Sequence, residues 1–166
     1  MHPSAAHVAD TLRELGATGE VRELPGPAPT AATAAAQLGC EVGAIANSLV
    51  FSADGDPLLV LTSGAHRVDT TRVAALVGAA AVRRADPDFV RAATGQVIGG
   101  VAPVGHPQAL RTLVDVWLAG YEVVWAAGGH AHTVFPTSFT ELVRITGGTA
   151  AEVGDGPAGL EAPPAR

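Results

Sequence analysis

The stretch Gly95-Gln96-Val97-Ile98-Gly99-Gly100-Val101-Ala102-Pro103-Val104-Gly105 has residue types suited to holding an anion through the backbone. Glycine lets the main chain approach a ligand closely, because no Cβ intervenes. Pro103 and the β-branched Val101 and Val104 stiffen what the glycines loosen. A run of backbone N–H groups held in that form binds an anion or a developing oxyanion. The same residues also read as a tight connection between two elements.

Five other positions can carry chemistry. Asn47 alternates with Ile45, Leu49 and Phe51, so a polar side chain sits in an apolar row and needs hydrogen-bond partners. It is either a structural bridge or a pocket-facing donor and acceptor. His130 and His132, in Gly128-Gly129-His130-Ala131-His132, are suited to proton transfer near neutral pH, and His130 is the better placed. No third ligand with metal-site spacing accompanies them. Asp115 alternates with Leu113 and Trp117, and a buried carboxylate there either braces loop N–H groups or binds a substrate amino group. Arg67 follows His66 at a strand end and is a candidate phosphate contact. His106 reads as exposed, and Cys40, beside Gly39, reads as a small packed residue with no base to activate it.

The elements that must position these residues follow from periodicity and punctuation. Ser4 caps a first helix with Ala5, Val8, Leu12 and Leu15 on one stripe, ended by Gly16. Glu20–Leu24 reads as a short strand before the breaker Pro25-Gly26-Pro27. Thr30 caps an Ala-rich helix to Leu38, closed by Gly39. Ala44–Ala53 and Leu58–Thr62 form a hairpin around Asp54-Gly55-Asp56-Pro57, the return strand being apolar on both faces. Asp69 caps a helix to Val77 with Val73, Leu76 and Val77 inward, and Ala80–Arg83 is a short strand. Asp86-Pro87 starts a helix with Phe89, Val90 and Ala93 buried. Strands follow at Thr112–Val116, Tyr121–Ala126 and Thr133–Phe135. Ser138-x-x-Glu141 is a capping box opening the helix Phe139–Ile145, stopped by Gly147-Gly148. Thr149–Val153 adds an edge strand, and 154–166 reads as a flexible C-terminal tail after a single domain over 1–153. Short strands with scattered helices indicate an α+β domain with a curled mixed sheet.

At 166 residues and 48% apolar content, one core is expected, and with only 4% aromatics it is aliphatic. No apolar run is long enough to span a bilayer, and no basic-then-apolar leader opens the chain, so a cytoplasmic protein is expected, with no membrane partner. One cysteine makes no internal disulfide. A net charge of −6 argues against binding along a nucleic-acid backbone. All ten basic residues are Arg, and the chain has no Lys. There is no Gly-x-Ser-x-Gly and no P-loop, and nothing calls for a cofactor.

Gly99-Gly100-Val101-Ala102-Pro103 resembles the Gly-x-x-x-Pro loop of the YbaK/ProX (YbaK/EbsC) family of aminoacyl-tRNA editing deacylases, which includes the editing insertion of bacterial prolyl-tRNA synthetases. Ile45–Phe51 resembles the family's first long strand. Ser63–Asp69, Ala85–Gly95, Val114-Asp115 and Ala126–His130 fall in the family's order and spacing, and the resemblance covers about residues 20–153.

The resemblance implies a mostly antiparallel, barrel-like sheet flanked by helices. It also implies hydrolysis in trans of the ester of a mischarged tRNA, in the service of translation fidelity; a tRNA for proline carrying a small amino acid is the suggested substrate. The implied partners are the acceptor end of aminoacyl-tRNA and an aminoacyl-tRNA synthetase. The implied catalytic set is Asn47, Gly100, Val101 and His130, with substrate contacts from Gly99, Ala102, Pro103, Asp115, Gly128, Gly129 and Arg67. Gly100 and Val101 would supply oxyanion donors, and Gly128-Gly129 would admit the terminal adenosine. The family usually carries a Lys-Ser-Leu or Lys-Thr-Leu run where this chain has Asn47-Ser48-Leu49. Asn carries no charge, so a non-catalytic ligand- or tRNA-end-binding module on the same scaffold stands as the alternative.

Overall fold

The computed structural model describes residues 1–155, and the predicted tail from 156 on lies outside them. Five helices and ten strands are described. The helices are α1 (Pro3–Glu14), α2 (Ala31–Leu38), α3 (Thr70–Val77), α4 (Pro87–Thr94) and α5 (Phe139–Thr146). The strands are β1 (Arg22–Glu23), β2 (Ile45–Ala53), β3 (Asp56–Ser63), β4 (Arg67–Val68), β5 (Val82–Arg84), β6 (Arg111–Asp115), β7 (Val124–Ala127), β8 (Thr133–Thr137), β9 (Thr149–Ala151) and β10 (Gly154–Asp155).

Helix ends obey local chemistry. Thr30 and Thr33 form a reciprocal cap on α2, and Asp69, Asp86 and Ser138 accept the N–H three residues on at α3, α4 and α5. Gly39, Gly78, Gly95 and Gly147 close α2, α3, α4 and α5 in the left-handed conformation. Two details differ from expectation. The cap of α1 is His2, whose Nδ1 accepts the Ser4 N–H, because Pro3 occupies the first helical position. At α5 the Glu141 carboxylate turns to Thr137 Oγ1 (2.7 Å) and to Thr18 N and Oγ1, tying α5 to the segment after α1.

The eight-stranded mixed sheet runs β1-β8-β7-β2-β3-β6-β9, with β5 also on β2, and β10 pairs separately with β4. Four pairings in the large sheet are antiparallel and three parallel. The path ends at β1 and β9, so the sheet curls without closing into a barrel. The α+β architecture is the one expected. The segment 121–123 precedes β7 instead of belonging to it, because a 3-10 turn over Val116–Gly120 consumes the chain there and leaves Val123 exposed. Leu15 and Leu76, expected inward, are 37% and 47% exposed, since Leu15 lies past the last turn of α1 and Leu76 lies off the Val73–Val77 stripe that packs on the sheet. Gly154–Asp155, read as the start of the tail, pairs with β4.

Helices cover both sheet faces. Val8 and Leu12 of α1, Val90 of α4 and Leu142 and Ile145 of α5 pack with Ala46, Val50, Leu59, Leu61 and Val114. Val73 and Val77 of α3 pack with Phe51, Leu58, Val60 and Leu113 on the other face. Ala34 and Ala35 of α2 pack with Leu24, Ile45 and Val134. Strand β3 is thus buried on both sides, as its sequence requires. None of the described helices is long and apolar enough to cross a membrane.

Two partners share one edge of β2. Strand β7 pairs with it in parallel only at Ile45 and Ala46, and β5 pairs antiparallel from Phe51 to Ala53. Asp54, at the tip of the β2–β3 hairpin, fixes β5 by accepting the N–H groups of Ala80 (2.8 Å) and Ala81 (2.9 Å), which holds its carboxyl below the usual range. Between the two partners the edge of β2 is open.

Gly128-Gly129 packs against the first helix. Gly129 has φ +102°, and a Cβ there would stand 2.8 Å from the Ser4 carbonyl oxygen and press on Val8. Gly99 has φ +92° with open space around it. Gly129→Ala is expected to lower the unfolding free energy by about 2–4 kcal/mol, and Gly99→Ala by only about 1 kcal/mol. Denaturant titration of the two variants checks the ordering.

Candidate functional site

A cleft of about 410 Å3 opens where β2 is unpaired. Residues 45–50 of β2 form its floor, and Trp125, Ala126 and Ala127 of β7 form one wall. Arg84 and Ala85 stand at the β5 end, and Ile98, Gly99 and Val101 of the glycine loop lie opposite. Ala28–Ala31 and Ala34 close the α2 side, and His132, Thr133 and Val134 close the β8 side. Volume and mostly apolar lining suit a small-molecule site. The lining contains no Asp or Glu; its cationic groups are Arg84 and, when protonated, His132.

The cleft wraps around the free edge of β2, so alternate residues touch it from opposite faces. Ser48 shares a face with Ala46 and Val50, which pack with Val101. Asn47 shares the other face, that of Ile45 and α2. The Ser48 Oγ is buried without a hydrogen-bond partner among the described residues.

Within the glycine loop, the N–H groups of Gly95, Gln96, Gly100 and Ala102 are engaged. Gly100 N–H donates to the Val97 carbonyl (3.1 Å) and Ala102 N–H to Gln96 Oε1 (2.7 Å). Val101 N–H has no protein acceptor among the described residues, and Val101 lines the cleft. Ala102 and Pro103 are buried behind the loop and lie outside the lining. Three histidines brace the loop from behind. His7 Nε2 donates to the Gly105 carbonyl (3.2 Å) and His106 Nε2 to the Ala102 carbonyl (2.8 Å). The main chain of His130 passes so close to Gly100 that a Cβ there would meet it at 2.7 Å.

Of the sequence-derived candidates, Asn47, Gly99 and Val101 come together at the cleft. Others serve elsewhere. The His130 ring stacks on His2 with centroids 3.8 Å apart, while His132, at φ +67°, takes the place at the cleft wall. Gly128 packs on Val21 and Thr133. Arg67 is exposed and pairs β4 with β10, away from the cleft.

Asp115 is fully buried and binds no part of the cleft. Its carboxylate accepts the N–H groups of Ser63 (2.9 Å) and Trp117 (3.0 Å), His66 Nδ1–H (2.7 Å) and, at 3.4 Å, Thr62 Oγ1. It therefore pins the end of β3 to the turn after β6, not the glycine loop. His66 is nearly buried beside it, tilted against Trp117 at 4.5 Å.

Sequence reasoning missed Arg84, Trp125 and the α2 wall, whose roles depend on which strands flank β2. Ser48 was visible as the only hydroxyl between Ala46 and Val50, yet nothing local marked its edge as open. Arg22 sits over the Trp125 ring at 4.9 Å, and Arg84 over Phe51 at 5.8 Å, so both guanidinium groups rest on aromatic faces near the cleft mouth.

A family model described as the aminoacyl-tRNA editing domain matches residues 25–145. The proline–tRNA ligase of Nitratidesulfovibrio vulgaris (strain DP4) is 31% identical over 126 residues, 75% of this chain. The chain spans only 22% of that ligase. The uncharacterized protein YwhH of Bacillus subtilis (strain 168) is 30% identical over 128 residues, covering 76% of this chain and 81% of YwhH. Among solved structures, a candidate trans-editing enzyme for prolyl tRNA synthetase superposes with a TM-score of 0.88 at 41% identity, over 94% of this chain and 99% of that one. The hypothetical protein APE2540 superposes with a TM-score of 0.83 at 30% identity, over 90% and 99% of the two chains.

Two measurements follow from the site's supports. Asp115→Ala leaves buried donors unpaired and is expected to cost about 3–5 kcal/mol in denaturant titration; loss of activity at full stability would instead give Asp115 a role toward substrate. Burial holds His106 below its usual 6.5, with the bond to the Ala102 carbonyl opposing that shift. The unfolded chain therefore binds the proton first, so stability is full above about 6.5 and declines as pH falls through that value toward the folded pKa. His106→Gln is expected to flatten this part of the stability–pH curve relative to wild type.

Proposed function

The chain belongs to the aminoacyl-tRNA editing domain family, as its YbaK/ProX-like motifs imply, and from that premise we propose that it is a trans-acting deacylase. It hydrolyses the ester that joins a wrongly attached small amino acid to the terminal ribose of tRNA, with the tRNA for proline as substrate. The likeness to a candidate trans-editing enzyme for prolyl tRNA synthetase supports this reading. So does the 31% identity to a segment of a proline–tRNA ligase. A cytoplasmic protein acting beside that synthetase is the corresponding setting.

The observation that carries the proposal is the cleft at the open edge of β2, lined by Val101, whose N–H has no protein acceptor among the described residues. A carbonyl oxygen placed there receives Val101 N–H as charge develops, which is worth roughly 3 kcal/mol of barrier for one donor. Water attacks the carbonyl carbon and the bond to the ribose oxygen breaks. One water proton ends on that ribose oxygen, and the other leaves the new carboxylic acid to solvent. The ester is activated, so no covalent nucleophile is required. Trp125 offers a stacking face for the terminal adenine and Arg84 a charge for its phosphate. Asn47 orients the ester group from the α2 side, and His132 is the imidazole available for proton transfer. Gly100 and His130 keep supporting roles behind the loop.

One observation favours a second reading. Asn47 stands at the family's Lys position in a chain without Lys, which fits a module that holds the charged acceptor end without turnover. Deacylation of Ala-, Cys- and Ser-charged tRNA for proline, with correctly matched controls, separates the two. Consumption of one mischarged species is expected. Folded protein that binds such a species and releases it intact would establish the second reading.

A further inference from the structure

We propose that the free edge of β2 at Ser48 reads the aminoacyl group of the substrate as a one-residue strand, an inference that rests on the deacylase reading above. In an extended chain the N–H and C=O of one residue point to the same edge, and successive residues alternate. Gly64 N–H donates to the Ile45 carbonyl at 2.8 Å, so Ile45, Asn47 and Leu49 face β3. The Val50 carbonyl accepts Ala85 N–H at 3.3 Å on the opposite edge. Alternation therefore turns the N–H and C=O of Ser48 to that opposite edge. Pairing with β7 ends at Ala46, and pairing with β5 begins at Phe51. The main-chain groups of Ser48 thus face the cleft with no strand opposite them. Half-buried backbone groups in such a place call for a partner.

An aminoacyl ester has the complementary groups. Its ammonium and its carbonyl are separated by one Cα, the spacing of a strand residue. The ammonium donates to the Ser48 carbonyl, and the ester carbonyl accepts Ser48 N–H. With no carboxylate in the lining, the ammonium needs a neutral acceptor of this kind. The third group is the Ser48 hydroxyl, buried and unpartnered on the face toward Val101. Side chains stand perpendicular to the sheet, so this hydroxyl lies above the plane of the docked carbonyl. That is the direction from which water must attack, and the hydroxyl orients it.

The test has a binding arm and a kinetic arm. In the binding arm, wild-type protein is titrated with 3′-alanylamino-3′-deoxyadenosine, a non-hydrolysable amide analogue, and followed by NMR. The Ser48 amide resonance is expected to move and its hydrogen exchange to slow about tenfold. An unmoved Ser48 amide, with other cleft resonances shifted, overturns the proposal. In the kinetic arm, lactyl-tRNA, which replaces the ammonium by a hydroxyl, is expected to show a KM about tenfold above that of alanyl-tRNA. Ser48→Ala is expected to lower kcat about 10- to 100-fold with little change in KM, and Ser48→Thr to recover most of it. Equal kinetics for both acyl groups together with an unaffected Ser48→Ala variant would refute the edge. If wild type hydrolyses no mischarged tRNA, the deacylase reading fails, and the NMR titration alone still decides whether Ser48 holds the aminoacyl group.

Discussion

One edge of β2 must serve two partners that arrive from different parts of the chain. Strand β7 comes in parallel and leaves after Ala46, and β5 comes antiparallel and joins only at Phe51. Backbone polar groups in a sheet normally find a strand opposite, and here a span between two paired ends does not. The rest of the molecule can be understood as holding that gap open. The β2–β3 pairing holds β2 from its other edge across eight registered residues. Asp54 anchors β5 at one end through Ala80 and Ala81. At the other end the β7–β8 turn is locked by Gly128 N–H to the Thr133 carbonyl and by Thr133 Oγ1 to the His130 carbonyl.

Behind the gap, rigidity comes from buried polar groups that satisfy one another. Gln96 spans the base of the glycine loop, accepting Ala102 N–H and donating to the Val104 carbonyl. Thr94 caps the same turn by receiving Gln96 N–H. These bonds fix the backbone on either side of Val101, whose N–H has no protein acceptor among the described residues. On the deacylase reading proposed above, a preorganised donor costs no reorganisation at the moment of reaction. The helix α1 lies outside the matched family segment, yet it supplies Val8 and Leu12 to the main core and His7 to the loop, so it belongs to the machinery that fixes the site.

Local signals in the sequence carried most of the fold. Thr30, Asp69, Asp86 and Ser138 mark helix starts because a side-chain oxygen two or three residues from an orphan N–H acts without tertiary help. Gly39 and Gly147 mark ends for the same local reason. The Asp54-Gly55 turn and the two-sided burial of β3 were equally legible. Less of the site was legible, because its roles depend on non-local packing. Whether a glycine admits a ligand or another backbone is invisible in the chain: Gly99 opens to the cleft, while Gly100 and Gly129 make room for His130 and α1. His130 and His132 differ only in which way a turn sends them. Asp115 reads either as a buried acceptor or as a substrate contact, and what separates the two is non-local: besides Trp117 N–H, its donors come from β3 and His66, some fifty residues earlier in the chain.

The central claim is that substrate ester occupies the gap in β2 opposite Val101. A crystal structure of the protein with a non-hydrolysable amide analogue of alanyl-adenosine tests it most directly. The account predicts the amide group seated between Ala46 and Phe51, its carbonyl oxygen within hydrogen-bond distance of Val101 N–H and the adenine on Trp125. An analogue bound instead in the groove between α1 and the glycine loop, against His7 and His106, would contradict it.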